Sequence, residues 1–135
     1  MHIGFTGTRE GMTSLQKSSL DELLFAFNKA SITANQCFHH GGCLGADVEA
    51  HLIALQNSIE VILHPPEDDK KRAFCRCCKE RKTPKPYIDR NHDIVDAANI
   101  LIAAPKSLKE ELRSGTWATI RYARKRKVRT IILVP

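Results

Sequence analysis

The chain is poor in aromatic residues, which make up 6% of its 135 positions, with a single tryptophan. Few aromatics leave little material for stacking successive bases of a nucleic-acid strand. No apolar run approaches the roughly 20 residues of a membrane span, so no membrane partner is expected. The start, "MHIGFTGTREG", lacks a basic stretch followed by a long apolar one, which argues against a secretion signal and for a cytoplasmic protein. No internal repeat and no low-complexity segment interrupts the chain. The dinucleotide fingerprint G-x-G-x-x-G is missing, and so is the P-loop. Cysteine is present but odd in number, five in all, which with no secretion signal speaks against a disulfide framework.

What is present begins with length. A chain of this size forms one domain with a real core, here taken as residues 1–135. The formal charge is +6, concentrated in "KKRAFCRCCKERKTPK" and "RKRKVR". Such clusters favour anionic partners in general, and each alone reads as a solvated basic face. The cysteines raise the question of zinc, because Cys75, Cys77 and Cys78 lie together while Cys37, His39, His40 and Cys43 lie elsewhere. Structural zinc sites pair their ligands at C-x2-4-C spacing, twice; "CRCC" is too tight for two such pairs and "CFHHGGC" mixes strand and loop. Buried or incidental thiols are the better reading, and neither metal nor cofactor is expected.

Five β-rich apolar runs stand out: His2–Gly7, Gln36–His40, Glu60–His64, Asn99–Ala104 and Thr130–Pro135. Most are continuous rather than alternating, as strands buried on both faces are. Helical patterns lie between them. In "MTSLQKSSLDELLFAFNKA", Leu15, Leu20, Leu23, Leu24 and Phe27 recur at helical spacing behind a Thr13 or Ser14 cap. "GADVEAHLIALQN" places Val48, Leu52 and Leu55 on one side, "PYIDRNHDIVDAA" offers Ile88, Ile94 and Val95, and "SGTWATIRYARKRK" offers Trp117, Ile120 and Tyr122 or Ala123. The segment 65–85 reads as a loop with one helical turn. Strand alternating with helix predicts an α/β three-layer sandwich, Rossmann-like, with a mainly parallel five-stranded sheet in the order 3-2-1-4-5. Ligands of such sheets bind beyond the carboxyl ends of the strands, at the switch point between the first and fourth.

The segments following the strands are therefore the candidate site. After the first comes "GFTGTREG": Gly7 permits a tight turn, Thr8 offers a hydroxyl and Arg9 a fork suited to phosphate. After the second comes "HHGGCLGADVEAH". There Gly41 and Gly42 allow turn geometry closed to other residues, Gly45 and Ala46 keep the helix start open to a ligand, and Asp47 either caps it or bonds a ribose hydroxyl. His39 and His40 read as strand-end histidines rather than catalytic bases. After the third, His64 ends the strand before two prolines, and the basic segment beyond is a solvated loop or a lid over the ligand. After the fourth, Ser114 caps a helix that Gly115 and Thr116 begin, where free N–H groups and the positive dipole end meet. Arg90 and Asn91, early in the preceding helix, lie beside the same strand ends. Three helix N-termini converging on one crevice would make an anion site, with phosphate the obvious anion.

In order and spacing, "GFTGTR", "GGCLGAD", "RNHDIVDAANILIAAP" and "SGTWATIRYA" resemble the SLOG superfamily of Rossmann-like proteins across nearly the whole chain. Its branches include DprA-like DNA-processing proteins and LOG-like enzymes. The resemblance implies a nucleotide or nucleotide-derived ligand held by Gly7, Thr8 and Arg9, by Gly41, Gly42, Gly45 and Asp47, and by Ser114, Gly115 and Thr116. It implies a sensor or sequestering module, in phage defence or counter-defence, for an NAD-derived or cyclic signal. It also implies homodimers, which LOG proteins form. The LOG enzymes cleave a nucleoside monophosphate between base and ribose phosphate through P-G-G-x-G-T-x-x-E and an upstream Arg. Gly115–Thr116 matches G-T and Arg90 corresponds to the Arg, but Thr119 stands where the Glu belongs. An N-glycosidase would then need another carboxylate, Asp47 or Asp93, so Arg90 and Asp47 are the candidate catalytic residues of this alternative. A DprA-like DNA-binding module is the third reading, favoured by "RKRKVR" and disfavoured by the scarce aromatics.

Overall fold

The computed structural model describes residues 1–31 and 35–135. The elements run β1 (His2–Gly7), α1 (Ser14–Ala30), β2 (Cys37–His40), α2 (Ala46–Gln56), β3 (Glu60–Leu63), β4 (Glu80–Arg81), α3 (Tyr87–Ala97), β5 (Ile100–Ala104), α4 (Gly115–Lys125) and β6 (Arg129–Ile132). The sheet is parallel, in the order β4-β3-β2-β1-β5-β6. The expected 3-2-1-4-5 arrangement is present, extended by one short strand. That strand, β4, comes from the segment expected to be a loop with one helical turn, and it adds to the β3 edge through Ile62↔Glu80 and Leu63↔Arg81. The same segment contains a single 3-10 turn, Asp69–Lys71, opened by the Asp68 side chain accepting from the Lys70 amide.

The central strands β1, β2, β3 and β5 are buried on both faces along most of their length, whereas the edge strands β4 and β6 are not, and alternate residues of a central strand serve different layers. Ile3, Phe5, Ile100, Ile102 and Ala104 join Leu20 and Leu24 of α1 and the alanines of α2 in the larger core. Leu101 packs with Val95 and Ala123, and Ala103 with Trp117 and Ile120, under α3 and α4. Continuous apolar runs in the sequence are thus two interleaved period-2 patterns.

Helix α1 starts as its sequence predicts: Thr13 accepts from the Gln16 amide (3.0 Å) while the Gln16 side chain accepts from the Thr13 amide (3.1 Å), a reciprocal cap. Gln16 then turns inward, fully buried, and donates to the carbonyls of Pro105 and Leu133. Helix α2 meets the expectation in part. Val48 and Leu55 pack half-buried against the core, but Leu52 is exposed, and the fully buried face is Ala46, Asp47, Ala50, His51 and Ala54. Small residues let this helix sit close to the sheet, where leucines would hold it off. Leu15 and Ile88, also expected in the core, face outward. No helix among the described residues is long and apolar enough to cross a membrane.

Candidate functional site

β1 pairs directly with β5, which puts the loops after these two strands side by side. Between them opens a cleft of about 530 Å³. Its walls are Gly7, Thr8, Arg9 and Glu10 from the first loop, Tyr87, Ile88, Asn91 and His92 from the start of α3, and residues 106 and 111–119 from the β5–α4 loop and α4. Ser114 is the N-cap of α4, its hydroxyl accepting from the Trp117 amide (3.3 Å). The amides of Gly115 and Thr116 are those an α-helix leaves without an intrahelical partner. A β-carbon on Gly115 would lie 2.5 Å from the Tyr87 hydroxyl oxygen, so that hydroxyl sits against the same helix start.

Five charged side chains line the cleft, Glu111 among them. Lys106 and Glu10 bridge the two loops (3.0 Å), and Arg9 and Arg113 also line the cleft. The guanidinium of Arg9 lies 5.1 Å from the centre of the Tyr87 ring, and that of Arg90 lies 4.6 Å from it. His92 stacks on Tyr122 at 3.7 Å, stiffening the wall. Trp117, 5% exposed, donates from its indole to the Ser107 carbonyl and so pins the β5–α4 loop. Thr119 is buried, and its hydroxyl donates to the Gly115 carbonyl at 2.9 Å. The position where a LOG-like glutamate would stand is thus turned back onto its own helix.

Of the residues singled out from the sequence, Gly7, Thr8, Arg9, Asn91, Ser114, Gly115 and Thr116 meet in this cleft. Gly41, Gly42, Gly45, Asp47, His64 and Arg90 do not line it. They form a second, buried assembly behind the first loop. The N-terminus of α2 is closed by chain: the Ala46 amide donates to the Thr8 carbonyl (3.0 Å), and a β-carbon on Gly45 (φ +94°) would lie 2.2 Å from the Arg9 carbonyl oxygen. Of the three helix starts expected to converge, those following the first, second and fourth strands, α4 opens to the cleft while the starts of α1 and α2 do not line it; α3, not among the three, joins it through Tyr87. Arg90, 2% exposed, donates to the carbonyls of Gly41 (2.5 Å) and His64 (3.2 Å) and to Cys43 Sγ (3.2 Å). Asp47 accepts from the Cys43 amide (3.1 Å). Burial raises the Asp47 carboxyl above its ordinary range, against the pull of Arg90 and of the amides of Cys43 and Gly41. Arg90 and Asp47 are therefore neighbours, as a catalytic pair would be, but they brace the ends of β2 and β3.

His39 and His64 are buried, and His2, exposed at the start of β1, joins them in a chain of rings. His2 Nδ1 meets His39 Nε2 (2.7 Å), and His39 Nδ1 meets His64 Nε2 (2.9 Å). Burial first, then His64 and His2, hold His39 down to about 3; burial holds His64 down to about 4. The neutral, buried rings of His39 and His64 are structural partners of one another rather than bases facing a ligand.

Tyr87, His92, Lys106, Glu10 and Glu111 line the cleft without having been singled out. The signal for Tyr87 was present: Pro86 marks a helix start, and a first-turn residue of α3 lies at the strand ends just as Asn91 does. Lys106 and Glu111 sit in an irregular loop, where periodicity says nothing about direction.

No family model and no curated protein matches the chain. Solved structures do match. The molybdenum cofactor binding protein of the phototrophic bacterium Rippkaea orientalis superimposes with TM-score 0.71 at 19% identity, over 97% of this chain and 74% of that one. The molybdenum cofactor carrier protein of Chlamydomonas reinhardtii gives 0.68 at 19%, over 97% and 74%. DprA of Streptococcus pneumoniae gives 0.68 at 16%, over 97% of this chain and 49% of that one. All have the SLOG-type Rossmann-like fold, so the fold is the one the motif resemblance implies. At these identities the likeness is one of fold.

Proposed function

We propose that the chain binds a nucleotide or nucleotide-derived phosphate ligand in the cleft between the β1 loop and α4. A single observation carries this: the open start of α4, with Ser114, Gly115 and Thr116, lies in one cleft with Arg9, Lys106, Arg113 and the Tyr87 hydroxyl. Backbone N–H groups at a helix start, the positive end of the helix dipole and flanking cations are the means by which proteins hold phosphate. Tyr87 and His92 supply flat surfaces for a base or ribose on the opposite wall.

Binding without turnover is the reading we favour, as a sensor or sequestering module. Thr119 brings no carboxylate to the helix start, and Asp47 lies outside the cleft. The molybdenum cofactor proteins with this fold are named for binding and carrying, which is compatible with such a role. N-glycosidic hydrolysis remains the second reading for one reason: Glu10 and Glu111 line the same cleft, and a carboxylate can stabilise an oxocarbenium-like sugar. A DprA-like function has the shared fold behind it, but the basic run at the end of α4 is solvent-exposed, with Arg126 paired to Asp96 (3.1 Å).

The test is a thermal-shift and calorimetric screen with nucleoside mono- and diphosphates and dinucleotides, with free base assayed in the same samples. Stabilisation with no base released supports binding alone. Base released at enzyme-like rates overturns it in favour of hydrolysis. No response to any nucleotide, with salt-sensitive binding to single-stranded DNA, overturns both.

A further inference from the structure

Away from the cleft, three potential metal ligands from distant parts of the chain come together. His40 ends β2, His51 lies in α2, and Cys75 lies in the segment between β3 and β4. One ligand atom from each falls within 4.8 Å of the other two, and the side chains are 0%, 4% and 9% exposed. We propose that His40, His51 and Cys75 form a binding site for a zinc-class divalent metal ion that staples the 65–85 segment to the second glycine loop.

The donor chemistry favours that class. Two imidazoles and one thiol suit zinc and its neighbours, and exclude the oxygen-seeking calcium and magnesium. Around a tetrahedral zinc, with bonds of about 2.0–2.3 Å, ligand atoms stand roughly 3.3–3.8 Å apart, so small movements bring this group to that spacing. The partners of the rings are also in place. His51 turns Nδ1 toward His40 (3.0 Å) and directs Nε2 at the Arg76 carbonyl (2.5 Å), an arrangement that fixes the tautomer of a ligating histidine. Arg76 directly follows Cys75, so one backbone turn both presents the thiol and anchors the ring. That turn is held hard: Phe74 and Cys77 have φ of +53° and +60°, and Arg81 donates to the Cys75 carbonyl (2.8 Å). Non-glycine residues in this region are strained and cluster at ligand clamps.

The spacing does not announce such a site: His40 and His51 are 11 residues apart and Cys75 lies 24 beyond, far from the roughly two-to-five-residue gaps of paired zinc ligands. The site also makes a specific demand on protons. By hydrogen bonding alone, the Gly42 amide donates to His40 Nδ1 (3.1 Å), so the proton of His40 sits on Nε2 and points at His51. An ion bound at Nε2 takes the place of that proton, which moves to Nδ1. Nδ1–H cannot face the Gly42 N–H, so the Gly42 peptide must turn away. Gly42 sits at φ +63° with only Leu63 Cδ2, at 3.8 Å, near where a β-carbon would stand, so the turn has room to move.

The experiment uses the reduced full chain. Metal content is measured by mass spectrometry, and Co²⁺ is titrated as a spectroscopic stand-in for zinc. The expected result is one ion per chain, tetrahedral Co²⁺ bands, and a thiolate-to-cobalt charge-transfer band that Cys75→Ser abolishes and Cys77→Ser keeps. His51→Gln should weaken zinc by more than the roughly 10- to 100-fold that loss of a ligand's hydrogen-bond partner costs. Should the variants fail to fold, ¹⁵N spectra of the wild-type imidazoles with and without Zn²⁺ decide alone: His40 should change tautomer and the Gly42 amide should shift. A folded, reduced chain that binds neither Co²⁺ nor Zn²⁺ overturns the proposal. So does a charge-transfer band that persists in Cys75→Ser, or a His40 tautomer that zinc leaves unchanged.

Discussion

Gly115 separates binding from folding more cleanly than other positions in the cleft. A β-carbon there would lie 2.5 Å from Tyr87 Oη and 2.9 Å from Cε1, against about 3.4 Å or more for ordinary contact. In Gly115→Ala the tyrosine tip must therefore retreat by roughly 1 Å. Moving a half-buried side chain off its rotamer costs about 0.5–1.5 kcal/mol, and loosening the contacts with Arg9 and Arg90 adds roughly 0.5 kcal/mol. Alanine in place of glycine in a helix returns about 0.5–1 kcal/mol. The net loss of stability is about 0–1.5 kcal/mol, or at most a few degrees in Tm. The same methyl group fills the approach to the Gly115 and Thr116 amides and displaces the Tyr87 hydroxyl. A phosphate that loses those donors should bind at least about tenfold more weakly, close to 1.4 kcal/mol. A nucleotide at 100 times its dissociation constant stabilises the parent by about 2.7 kcal/mol, so roughly half of its thermal shift should vanish in the variant. Gly115→Val should remove most of it. Calorimetric titration of the best nucleotide from the screen, with melting curves of the free variants, reads both quantities. Unchanged affinity in Gly115→Ala would refute the placement of phosphate at α4, and a collapsed free variant would refute the claim that Tyr87 can yield.

Arg90→Met tests the buried brace: the carbonyls of Gly41 and His64 lose their donor and Asp47 loses a nearby positive charge. The free protein should lose about 3 kcal/mol or more, seen as a Tm lower by roughly 10 °C; a stable variant impaired only in ligand handling would assign Arg90 to the cleft instead. Thr13→Ala removes one half of the α1 cap and should cost about 1 kcal/mol in chemical denaturation, with the cleft unaffected. Acid should destabilise through the buried histidines. His64 titrates near 6.5 when unfolded and at about 4 when folded, so its contribution is whole above pH 6.5 and is lost as pH falls toward 4, by roughly 3 kcal/mol. Urea midpoints measured from pH 7 to pH 4 should fall, and His64→Gln should shallow the slope; parallel profiles for the two proteins would exclude His64 as the cause.

The parallel sheet and its central order were legible because they follow from local chemistry. Continuous β-rich runs spaced by helical patterns leave few topologies open, and the right-handed crossover rule removes most of those. β4 was not legible. Two charged residues, Glu80 and Arg81, have no strand pattern of their own and pair because the exposed edge of β3 offers them partners. On α2, Leu52 was misjudged for a related reason: periodicity weights large side chains, whereas the distance between helix and sheet selects the alanines.

The site divides the same way. Ser114, Gly115 and Thr116 announce a helix start through capping chemistry, which depends on neighbours one to three residues apart. Gly41, Gly45 and Asp47 carry an equally suggestive local pattern, yet the first loop lies across the start of α2 and Arg90 reaches in from α3. What the sequence by itself determined is where backbone must turn, cap and strand, since those follow from each residue and its near neighbours. Which helix start stays open, and that His40, His51 and Cys75 meet, was decided only by the tertiary structure. Both depend on contacts between chain segments tens of residues apart, whose distances no local pattern encodes.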